Sequence, residues 1–82
     1  MAGMIQVTLE SRNTSSNTNQ FEVFDRVCDI NRGIFSLRGG QSTGLSICSD
    51  DSAFGSVQIR NPDLNNDWVG IEWIRAGDTI SR

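Results

Sequence analysis

Histidine, tyrosine and lysine do not occur in this 82-residue chain, and all seven basic side chains are Arg, at positions 12, 26, 32, 38, 60, 75 and 82. Without His, the side chain that titrates near neutral pH is missing, and with it the commonest general base. Without Lys there is no Schiff-base amine and no ammonium to grip a phosphate. Two Cys and scattered carboxylates supply no familiar zinc-ligand spacing. Acid–base work would rest on Asp and Glu alone, so the expectation is a protein that is not an enzyme and carries no cofactor.

The formal net charge is −3 and the pI near 4.6, without the basic stripe of a nucleic-acid-binding surface. No apolar run approaches the roughly 18 residues of a membrane helix, so no membrane span is expected. The opening MAGMIQV has neither a charged n-region nor an apolar h-region. Residues 1–4 are therefore expected to lie outside the fold as a disordered or tag-derived stretch. The length allows one domain with a small core.

What the chain does contain is period-2 alternation, the pattern of half-buried strands. Apolar Ile5, Val7 and Leu9 alternate with polar residues, and so do Phe21 and Val23, Leu45 and Ile47, Val57 and Ile59, and Val69, Ile71 and Trp73. Ile34–Leu37 is apolar on both faces except at Ser36, which suggests a central strand. Turn formers fill the intervals 12–19, 28–33, 38–44, 49–55 and 61–67, the last holding the sole proline, Pro62. The expected fold is all-β: a small antiparallel β-sandwich of six or seven strands, or alternatively a closed six-stranded barrel.

Three blocks recur in the same order. Val7-x-Leu9-x-Ser11 matches Leu45-x-Ile47-x-Ser49, and Val23-x-x-Arg26-x-x-Asp29 matches Val57-x-x-Arg60-x-x-Asp63. Gly33-Ile34-x-x-Leu37-Arg38 matches Gly70-Ile71-x-x-Ile74-Arg75. The pattern suggests two three-stranded repeats of about 38 residues, 5–42 and 43–80, packed about a pseudo-two-fold axis. The Gly-rich stretch Arg38-Gly39-Gly40 reads as a hairpin turn, since neither Lys nor a helix follows it to make a phosphate loop.

Candidate sites follow from the loops. Trp68 and Trp73 are five residues apart on one expected strand, so they face opposite ways. Parity with Val69 and Ile71 assigns Trp73 to the core and leaves Trp68 exposed. Trp68 beside Asp63, Asn65, Asn66 and Asp67 forms a candidate platform for a glycan or a protein anchor. Asp50 and Asp51 are candidate Ca2+ ligands, although neither acidic loop has the spacing of an EF-hand. Cys28 and Cys48 are expected to bridge within the chain, to link subunits, or to stay reduced; a bridge would contribute about 3 kcal/mol. Asp25, Arg26, Asp29, Arg60 and Asp63 read as surface ion pairs bracing loops, each worth about 0–1 kcal/mol.

Together these features point to a binding or assembly module that works through protein–protein contacts, as a self-associating structural subunit. A small ligand-binding module for carbohydrate or Ca2+, using the loops around Trp68 and Asp50/Asp51, is the alternative.

Overall fold

The computed structural model describes residues 3–12, 18–62 and 67–82. Seven strands follow one another: β1 (Gly3–Glu10), β2 (Thr18–Asp25), β3 (Ile30–Arg38), β4 (Ser42–Ser49), β5 (Gly55–Arg60), β6 (Val69–Ile74) and β7 (Thr79–Ser81). They form two open sheets, ordered β4-β1-β7 and β3-β2-β5-β6, so the architecture is a sandwich and not a closed barrel. Neighbours are antiparallel except β1 and β7, which pair in parallel over Thr8–Glu10. The strand order is close to symmetric. β1 pairs with β4, β2 with β5, and β3 and β6 flank that central pair, while β7 has no counterpart. Gly3 and Met4, expected to lie outside the fold, begin β1 opposite Ser49 and Cys48.

Alternation produces the core directly. Ile5, Val7, Leu9, Leu45, Ile47 and Ile80 face inward from the three-stranded sheet. Phe21, Val23, Leu37, Val57, Ile59 and Ile74 meet them from the other, with Phe35 and Ile71 packed against the cluster. The facing strands have little spare room: a Cβ on Gly55 would lie 2.6 Å from Ile47 Cδ1, so β5 starts against β4 only because that position is glycine.

Two bulges break the alternation. In the β2–β3 ladder Val23 faces Gly33 but Phe24 faces Asn31, which makes Arg32 the extra residue. Gly33 supplies the positive φ of 99° there. In the β5–β6 ladder Gly55 faces Ile74 and Val57 faces Ile71, so Glu72 and Trp73 share the single position opposite Ser56. Ile71 and Ile74 can therefore both turn inward, and Trp73 takes the strained φ of 62°. This bulge overturns the parity expectation: Trp73 is 71% exposed and belongs to the surface, whereas Ile74 fills the core. Ile34–Leu37 is likewise not central; β3 is an edge strand.

Cys28, after β2, is bonded to Cys48 on β4, with a Cα–Cα distance of 5.9 Å. The bridge ties one sheet to the other within the chain, so these sulfurs are not intersubunit thiols. Cys48 has the outward parity of Met4, whose Sδ lies 3.5 Å from its Sγ, yet it is buried because the segment after β2 covers it. Replacing both cysteines by Ala should cost about 3 kcal/mol by loop entropy. At roughly 4–8 °C per kcal/mol for a domain of this size, a melting curve should move down by about 12–24 °C.

Candidate functional site

Inward parity along β2 runs Asn19, Phe21, Val23, Asp25, and the last of these puts a carboxylate in the interior with 0% exposure. A buried carboxylate requires full hydrogen bonding. Asp25 Oδ1 accepts from the N–H groups of Val27 (3.1 Å) and Cys28 (3.3 Å). Its Oδ2 accepts from the N–H of Cys48 at 2.7 Å and from Arg32 Nε and Nη2 at 3.2 and 3.1 Å. The Cys48 N–H points off the edge of β4, so Asp25 both closes that edge and joins the two sheets. The expected surface ion pair is thus a buried one, made with Arg32. Arg26 instead pairs with Glu72 at 3.6 Å.

Asp25, Cys28 and Cys48 also place three potential metal-ligand atoms within 4.8 Å of one another. The two sulfurs are bonded to each other and offer no thiolate. Arg32 already neutralises the carboxylate, with Nη2 3.2 Å from Cys48 Sγ. As it stands, the cluster is a clamp between sheets.

Across the outer face of the four-stranded sheet runs a polar–aromatic row. Glu22 faces Ile34 on one side and Arg60 on the other. Arg60 Nε donates to Glu22 Oε1, and Asn31 Nδ2 donates to Oε2 at 2.8 Å. These hydrogen bonds, from Asn31 first and then from Arg60, hold the Glu22 pKa below its ordinary value. The Arg60 guanidinium lies 4.7 Å from the centre of the Trp68 ring, and Phe24 meets that ring edge-on at 6.4 Å. Trp68 is exposed as expected, at 38%, but it is engaged on its own sheet by these two neighbours. Asp63, Asn65 and Asn66 lie outside the described residues, and Asp67 is exposed beside Trp68. The platform expected from these five residues therefore shows only Trp68 and Asp67.

Asp50 and Asp51 sit in the turn between β4 and β5. Asp50 Oδ1 accepts from the N–H groups of Ser52 (2.8 Å) and Phe54 (3.0 Å), and its own N–H donates to the Phe54 carbonyl. This is an aspartate-braced turn in which Ala53 takes a φ of 66°. Its product is the placement of Phe54, whose ring stands at 87° to that of Trp73 with centroids 5.5 Å apart. The Arg75 guanidinium covers Phe54 at 5.2 Å. Beneath the two rings is a pocket of about 160 Å³ whose walls also carry Asp50 and Glu72.

Sequence reasoning missed Trp73, Phe54 and Asp25. For Asp25 the signal was present, since it continues the Phe21, Val23 parity. For Trp73 there was none, because the bulge arises from how β6 meets β5. Comparison of the chain with family models, with curated proteins and with solved structures finds no match.

Asp25→Ala should destabilise the domain by about 3–5 kcal/mol, because it strands the Arg32 charge and three backbone donors. Urea midpoints of the wild type and the variant measure this. A second outcome concerns Glu22. Its folded pKa is depressed, so the stability it contributes is present above the ordinary glutamate range and is lost as the pH falls through and below it. Melting temperatures of Glu22→Gln and wild type, compared from pH 7 down to pH 3, should converge at the acid end.

Proposed function

We propose that this domain is a non-catalytic binding and assembly module in which the β3 edge pairs with the same edge of a second copy. One observation carries the reading: on the edge strand β3, residues 34–37 include neither Pro nor a charged side chain, and Ile34 among them is 56% exposed. Edge strands in soluble proteins are usually blunted by such residues, because an open ladder recruits other strands.

The local hydrogen bonding supports this placement. Near one end of β3 the Gly33 N–H donates to Asn31 Oδ1 at 2.7 Å, and at the other the Arg38 N–H donates to Gln41 Oε1 at 2.8 Å. An N–H directed at Gln41 points away from β2. Alternation then directs the backbone groups of Ile34 and Ser36 outward in the same way. Gln41 thus closes one flank of the edge and leaves Ser36 and Ile34 beyond it as an open window. An antiparallel partner there would set Ile34 against its own symmetry mate, a β-branched cross-strand pair worth roughly 0.2–1 kcal/mol beyond the ladder bonds. The symmetric strand order also supports reading the chain as two three-stranded halves, with β7 added to the second.

Light scattering after size exclusion, over a range of concentrations, tests the reading. Wild type should approach twice the 9.0 kDa chain mass as concentration rises. Ile34→Lys should hold the protein at one chain mass with an unchanged melting temperature measured at the monomer limit. A wild type that stays monomeric at the highest soluble concentration would overturn the proposal.

A further inference from the structure

We infer that the corner formed by Phe54 and Trp73 is a binding site for an ammonium group carried on an apolar stem, as presented by a lysine side chain of a partner protein. Four observations bring the inference to this place. The most exposed large apolar side chain of the described residues is Trp73, and it sits at a backbone angle that bulky residues avoid. Such strain persists where the surrounding structure imposes it, and it gathers at binding sites. The β6 bulge is what turns the ring outward over the pocket and away from the core.

The two rings are the second observation. Standing at 87° to one another and both lining the pocket, they present two adjoining aromatic surfaces to one small volume. In this edge-to-face pair one ring's positive edge rests on the other's negative face, and a cation at the corner would meet the aromatic face that stays open. Third, the charged groups at the walls among the described residues are acidic, Asp50 and Glu72, beside the hydroxyl of Ser56. Asp50 is engaged through Oδ1 with the turn, and Glu72 has only the 3.6 Å, largely exposed pair with Arg26 to exchange. The fourth observation is that aromatics of this surface already receive cations: Arg60 stands over Trp68, and Arg75 covers one face of Phe54 itself. A chain with no Lys and a net charge of −3 can receive such a group only from outside. A neutral sugar would also stack on the indole and donate its hydroxyls to the carboxylates, so the affinity relative to a free hexose separates the two occupants.

The pocket shares no residue with the β3 edge, so the inference stands apart from the assembly reading. The test can be run on the Ile34→Lys background as well as on wild type. Tetramethylammonium chloride and N-acetyl-lysine methylamide are titrated at an ionic strength held constant with sodium chloride, with the two indole N–H signals followed by NMR. The uncharged isostere 3,3-dimethylbutan-1-ol and a free hexose serve as comparison probes. The expected result is a saturable shift of the Trp73 indole with both cations, at least about tenfold tighter than with the alcohol or the hexose. Glu72→Gln should weaken it about threefold or more. Trp73→Gly, which removes the ring and suits the positive φ, should abolish the cation-induced shifts of the Gly55 and Ser56 backbone amides, which also line the pocket, while the far-UV spectrum is retained. Equal affinity for the alcohol, a preference for the hexose, indifference to Glu72→Gln, or no saturable shift up to about 100 mM cation would each overturn the inference.

Discussion

Everything in this sandwich leans on one buried carboxylate. Asp25 ends β2, and five donors from three separate places converge on it: the segment just after β2, the bulged start of β3, and the far end of β4. An isolated carboxylate there would be very costly, and only the full set of partners makes the position tolerable. The disulfide lies on the same spot, with Cys28 and Cys48 each also giving its backbone N–H to Asp25. Covalent and ionic links therefore secure one corner of the two sheets, where a core this small supplies limited cohesion.

That corner also organises the surface around it. Val27, whose N–H is held by Asp25, lines the pocket beneath Phe54 and Trp73. On the other side, Cys48 and Ser49 lead straight into the turn that Asp50 braces. The pocket is thus built from the two segments that the clamp immobilises, closed by a third wall from the β6 bulge. The opposite side of the four-stranded sheet behaves differently. β3 is held along β2 alone, and its outer edge carries exposed Ile34 and the Gln41 cap on the Arg38 N–H.

Both irregularities of the four-stranded sheet serve a side chain. At Arg32 the extra residue directs a guanidinium inward to neutralise Asp25, and a glycine absorbs the unusual φ. At Trp73 no glycine is present, and a bulky aromatic takes the left-handed conformation itself. The difference is informative. Gly70, the residue of β6 best suited to such a φ, is three positions away and sits in regular pairing with Gln58.

Local period, and little else, was legible in the chain. Ile5, Val7, Leu9, Phe21, Val23, Leu45, Ile47, Val57 and Ile59 all face the core as their alternation indicates, because the two faces of a strand are set by backbone pleat alone. The same rule would have placed Asp25 inside had it been applied to a charged residue. Strand order, however, depends on which edges meet, and so Ile34 proved to lie on an outer strand and β7 to run parallel to β1. Pairing of Cys28 with Cys48 required the segment after β2 to wrap over the edge of β4, a relation between residues twenty positions apart. The bulge that exposes Trp73 and buries Ile74 depends on the register of β6 against β5. The sequence by itself determined fold class and most of the core, since those follow from neighbours along the chain. Which aromatic, which edge and which acid occupy special positions was decided only by tertiary contacts, because a one-residue change of register reverses the face of every side chain beyond it.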